Sequence, residues 1–95
     1  MGCSNSKRVA IKFLMGDIRV LKFEASYPNQ PQFIINSAKY QIYHKNKLMK
    51  EGDLSVDGHY LTMTFNADQR GFFDLYLELE VGATTRKKHF IIDVD

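Results

Sequence analysis

Phe73-Asp74-Leu75-Tyr76-Leu77-Glu78-Leu79-Glu80-Val81 decides the fold. Phe73, Leu75, Leu77, Leu79 and Val81 fall on one face of an extended chain, while Asp74, Tyr76, Glu78 and Glu80 fall on the other. Period-two alternation over nine residues marks a strand with one buried and one solvated face. Gly82-Ala83-Thr84-Thr85 supplies a turn, and the stretch from Arg86 to Val94 is expected to return as the partner strand. A loop centred on Ala83 and Thr84 sets Leu77 opposite Phe90, Leu75 opposite Ile92 and Phe73 opposite Val94. On the polar face it sets Glu80 opposite Lys87 and Glu78 opposite His89, both favourable neighbours, with Asp74 opposite Asp93 as the one unfavourable pair.

Upstream, Asp57-Gly58 has the composition of a two-residue type I′ turn, in which both positions need positive φ. It joins the stretch from Leu54 to Val56 to that from His59 to Phe65 and sets Leu54 opposite Leu61. Leu61, Met63 and Phe65 then face inward, with Tyr60, Thr62 and Thr64 outward. Ala38 to His44 and Lys47 to Met49 form another strand pair around Lys45-Asn46. Arg8 to Leu14 and Ile18 to Ala25 alternate on either side of a turn at Met15-Gly16-Asp17. Asn66 to Gly71 is a polar connection with room for one short helical turn, and Tyr27-Pro28-Asn29-Gln30-Pro31 is a loop, since proline donates nothing to a ladder.

No segment holds a helical period over ten residues. About seven short strands with turns between them, in a chain of 95 residues, predict one all-β domain, an antiparallel β-sandwich. Hydrophobic residues make up 44% of the chain and charged residues 25%, which excludes extended disorder for most of its length. The expected domain covers residues 8–95, and residues 1–7, with no large apolar side chain after Met1, are expected to form a flexible tail. Cys3 is the single cysteine, which excludes an intramolecular disulfide and a multi-cysteine zinc site.

The net charge of +2 conceals an asymmetry, +7 over residues 1–50 and −5 over residues 51–95. Two arrangements produce it: complementary charges on paired strands, or a basic face opposite an acidic one that stacks head to tail. Charge runs ordinarily solvate a surface, which favours the first.

Nothing in the chain assembles a catalytic motif. His44, His59 and His89 are isolated from one another and from other metal-ligand residue types, the serines lie outside any nucleophile elbow, and no glycine-rich phosphate loop is present. Asp74, Glu78 and Glu80 share a strand face, where a solvated charge ladder is the expected reading. No enzyme activity, cofactor, metal or small-molecule substrate is expected.

From Lys39 to Lys47, cations interleave with aromatics, and on a strand Lys39, Gln41, Tyr43 and Lys45 share one face. Such a face contacts phosphates and stacks bases in some proteins, but the small net charge and the lack of a nucleic-acid motif argue for a polar protein surface. Lys39, Tyr43, Lys45 and Lys47 are therefore a candidate interaction surface for protein partners or self-association, with no nucleic acid expected. Met1-Gly2-Cys3-Ser4-Asn5-Ser6-Lys7-Arg8 fits an acylation pattern, with Gly2 as the myristoyl site and Cys3 as a palmitoyl site. That stretch has two other readings: Cys3 as the first residue of a processed bacterial lipoprotein, and a polar tail without modification.

The turns at Gly16-Asp17, Lys50-Glu51-Gly52-Asp53 and Val56-Asp57-Gly58, with Ala67-Asp68 and Gly71-Phe72-Phe73 leading into Leu75-Tyr76-Leu77-Glu78, form a recognisable layout. Over residues 9–95 it resembles the small immunoglobulin-like modules of phage and prophage virion proteins, of the baseplate upper-protein type. Immunoglobulin-like domains often place a Tyr at the corner before the sixth strand; Phe73 stands there in this chain, without the hydroxyl that would bond upstream backbone. The resemblance implies a non-enzymatic structural or interaction module in a phage or prophage particle, found in the virion or the host cytoplasm. The acylation pattern implies the alternative, a lipid-anchored peripheral protein whose β-sandwich binds a partner at the membrane.

Overall fold

The computed structural model describes residues 10–26 and 33–95. The tail expected over residues 1–7 and the proline loop at residues 27–31 lie outside the described residues. Eight strands occur among those described: β1 (Ala10–Phe13), β2 (Ile18–Glu24), β3 (Ile35–His44), β4 (Lys47–Asp53), β5 (Ser55–Asp57), β6 (Tyr60–Asn66), β7 (Gly71–Val81) and β8 (Thr84–Val94). They build a five-stranded sheet in the order β1-β8-β7-β3-β4 and a three-stranded sheet in the order β2-β6-β5. The result is an all-β sandwich, antiparallel except where β1 runs parallel to β8.

Alternation places the core as the sequence predicts. Phe73, Leu75, Leu77 and Leu79 of β7 and Leu61, Met63 and Phe65 of β6 are buried between the sheets. Phe13, Phe65 and Phe73 meet in successive edge-on contacts at 4.9 and 5.9 Å, so phenylalanines fill the centre of a chain that has no tryptophan. Arg19 closes the side of the sandwich: its guanidinium lies 3.9 Å over the Phe13 ring and donates to the Lys12 carbonyl.

Two hairpins turn one residue away from their expected positions, for one reason. In β7–β8, Val81 pairs with Thr84 across Gly82-Ala83, and only Gly82 has a left-handed backbone (φ 61°). Leu77 therefore sits opposite Lys88, Leu75 opposite Phe90 and Phe73 opposite Ile92, correcting the expected register by two residues. An even shift preserves the face of every side chain, so the core set survives the correction. The expected Asp74–Asp93 clash disappears, since Asp74 pairs with Ile91, and Glu78 gains Lys87.

In β5–β6 the turn is Gly58-His59, with Gly58 at φ 63° and Asp57 still paired in the ladder with Tyr60. Leu61 thus faces Val56 rather than Leu54, whose N–H instead bonds the Ala38 carbonyl of β3 at 2.9 Å. Each turn centres on the glycine as its first residue, the arrangement that needs positive φ only once. The β3–β4 hairpin turns at Lys45-Asn46 as expected, with φ of 53° and 64°.

The connection from Asn66 to Gly71 contains no helical turn. Its backbone is occupied elsewhere: the Ala67 carbonyl accepts from Gly16 N–H at 2.7 Å, and Ala67 N–H donates to the Asp17 carbonyl at 2.8 Å. Those bonds tie it to the corner where the chain passes from β1 in one sheet to β2 in the other.

Candidate functional site

Burial of Ala38, Tyr40 and Ile42 on the inner face of β3 leaves Lys39, Gln41 and Tyr43 on the outer face of the five-stranded sheet. Asp74, Tyr76 and Glu78 of β7 point the same way, because Phe73, Leu75, Leu77 and Leu79 point in. Between these strands and β4 lies an open groove of about 640 Å³, lined among others by Lys39, Tyr43, Glu51, Asp53, Tyr76 and Lys87. Its volume falls in the usual range of ligand and partner clefts.

Register determines the charges in the groove. Lys39 pairs with Asp53 on one side and Glu78 on the other, and Glu78 pairs with Lys87, so the signs alternate across four strands. Lys39 of the basic first half thus lies between Asp53 and Glu78 of the acidic second half, the complementary-strand arrangement. An aromatic row crosses the same surface: Tyr43 meets Tyr76 edge-on at 5.7 Å, and Tyr76 stacks on His89 at 4.6 Å. His89 Nε2–H donates to Asp74 Oδ1 at 2.8 Å, fixing the end of that row.

Of the four residues expected to form the interaction surface, the structure brings Lys39 and Tyr43 into the groove. Lys45 does not share their strand face; it lies in the turn, and Lys47 opens β4 opposite His44. Asn46 reaches the groove in their place. Gly2 and Cys3 lie outside the described residues. The turn expected from Lys50 to Asp53 is instead the end of β4. A bulge beyond the Tyr43–Leu48 pair, which counting back from Lys45-Asn46 does not foresee, sets Glu51 and Asp53 opposite Gln41 and Lys39.

The histidines do not converge. His44 Nδ1–H donates to the Phe72 carbonyl at 3.0 Å while its ring stacks on Phe73, and His59 Nε2–H donates to the Phe33 carbonyl at 3.0 Å while its ring stacks on Phe33. Among the described residues, no group of three His, Cys, Asp or Glu side chains is placed to hold a metal ion. At the opposite edge of the sheet, between β1 and β8, Asp93 is largely buried and holds Lys12 Nζ at 2.6 Å. That hydrogen bond, and then the carboxylate's charge, keep the Lys12 ammonium above its ordinary pKa. The chain matches no protein-family model, no curated protein and no solved structure.

Proposed function

We propose that this protein is a non-enzymatic interaction module whose binding surface is the outer face of the five-stranded sheet. One observation carries the reading: an open groove of about 640 Å³ lies across a sheet face, lined by tyrosines, carboxylates, amides and lysines. Such a surface offers large, stiff aromatic contacts beside charged and amide groups that pair with complementary groups on a partner. The partner is a protein, with neither nucleic acid nor a small-molecule substrate involved. The resemblance of the turn layout to virion modules supports a phage or prophage particle as the setting.

A photo-crosslinking residue at Tyr76, in the groove, tests the surface against the same residue at exposed Thr64 on the outer face of the three-stranded sheet. In the native host a defined protein adduct is expected from position 76 and not from position 64. Equal adducts from both, or none from position 76, overturn the reading. Recovery of the chain in sedimented particles tests the setting separately.

A further inference from the structure

The outward side chains of the five-stranded sheet lie in rows that cross β4, β3, β7 and β8. The first row reads Asp53, Lys39, Glu78, Lys87. Reversed and laid against itself, it sets Asp53 on Lys87 and Lys39 on Glu78, so every position meets the opposite charge. The second row reads Glu51, Gln41, Tyr76, His89. Its reversal sets Glu51 on His89 and Gln41 on Tyr76, a carboxylate on an imidazole and a carboxamide on a phenol. The third row reads Leu48, Tyr43, Asp74, Ile91. Reversed, it sets apolar Leu48 on Ile91, and the Tyr43 hydroxyl where it can donate to Asp74.

We propose that this face is a two-fold self-association surface and that its occupant is a second copy of this chain. The inference rests on the reading of the outer face as the binding surface, and it names the partner. One symmetry operation performs all three reversals at once: a two-fold axis parallel to the strands, midway between β3 and β7. It lays β3 over β7 of the partner subunit and β4 over β8 of the partner subunit. The contact is isologous, so each complementary pair is made twice and the assembly closes as a dimer.

The alternative axis in the sheet plane, perpendicular to the strands, is unfavourable. It sets Glu51 on itself and Glu78 against Asp74, like charges in both places. Facing sheets cross at about −30° because each is twisted, so the pairs beside the axis meet most directly. Those are Lys39 with Glu78, Gln41 with Tyr76 and Tyr43 with Asp74, and the Lys39–Glu78 pair sets the salt dependence. Lys39 is exposed and Glu78 half-buried in the single chain, so the interaction weakens as the screening length falls from about 10 Å at 0.1 M salt to about 3 Å at 1 M.

Sedimentation equilibrium of the full chain tests the proposal. A monomer–dimer equilibrium is expected that weakens at least tenfold between low and high salt. Lys39→Glu, which turns two favourable contacts into two repulsive ones, is expected to raise the dissociation constant at least tenfold. A ladder-reversed variant, Asp53→Lys/Lys39→Glu/Glu78→Lys/Lys87→Glu, keeps opposite charges adjacent within each subunit. It is expected to dimerise like the original chain yet fail to exchange subunits with it in a fluorescence energy-transfer assay. A chain that stays monomeric at millimolar concentration and low salt overturns the proposal, as does unchanged dimerisation of Lys39→Glu or free exchange with the reversed variant. A monomer that nevertheless yields a heterologous adduct from position 76 overturns self-association alone and leaves the binding surface in place.

Discussion

Lys12 of β1 and Asp93 of β8 are joined by a 2.6 Å ion pair across the one parallel ladder among the described strands. Asp93 is the buried partner and Lys12 the exposed one, so the lysine folds back over the carboxylate and covers it. A short first strand is thereby held to the last by a side chain as well as by its ladder. Folding raises the Lys12 pKa, so the stabilisation is complete below its unfolded value of about 10.5 and is lost as pH rises through the higher folded value. Urea denaturation of the protein and of Lys12→Gln is therefore expected to show a stability difference at pH 7 that closes in the alkaline range above about 10.5. A difference that widens with pH would contradict this assignment.

Leu77 is 2% exposed at the centre of β7, whereas its neighbour Tyr76 is 38% exposed on the other face. Leu77→Ala is expected to cost about 2–5 kcal/mol through lost burial and the cavity left behind. Tyr76→Ala should cost clearly less, losing mainly its contacts with His89 and Tyr43. Chemical denaturation curves on both variants check the ratio.

Gly58 and Gly82 hold left-handed backbones in open space, so an added methyl group meets no neighbour and only backbone strain remains. Gly58→Ala and Gly82→Ala are each expected to cost about 1–2 kcal/mol. Asp57→Ala should lie within about 0.5 kcal/mol of the original, because Asp57 ends a strand and does not occupy the turn. Thermal unfolding of the three variants separates these outcomes.

Gly71 combines both penalties. Its φ is 121°, and an added Cβ would come within 3.0 Å of His44 Cε1. Gly71→Ala is expected to cost about 1–3 kcal/mol from the strained backbone alone, and to displace His44 from the Phe73 ring on which it stacks. Loss of the ring-current shift on the His44 protons in the NMR spectrum is the corresponding signature.

Much of the sandwich was legible in local pattern. Alternation from Phe73 to Val81 and from Tyr60 to Phe65 assigned side chains to faces, because a strand inverts its side chain at every residue whatever lies beside it. The turn at Lys45-Asn46 was legible too, since it is set by adjacent residues. The register it imposes holds only as far as the Tyr43–Leu48 pair, beyond which a bulge shifts the ladder by one residue. The two glycine hairpins show the limit of that reasoning. Both shifts are even, so the core pattern is satisfied equally well by the expected and the observed register, and glycine geometry breaks the tie.

The sequence by itself determined which residues are extended, which face each side chain takes, and that no long helix competes. These are consequences of neighbours one to four positions apart. Only the tertiary structure decided that β1 leaves β2 to lie parallel on β8, that Ala67 is anchored by Gly16 and Asp17, and that Asp53, Lys39, Glu78 and Lys87 share one row. Asp53 and Lys87 stand 34 residues apart in the chain. They come into line only because two hairpins and one crossover each bury an apolar face against the opposite sheet, and the free energy of that burial belongs to the assembled sandwich and to no segment of it.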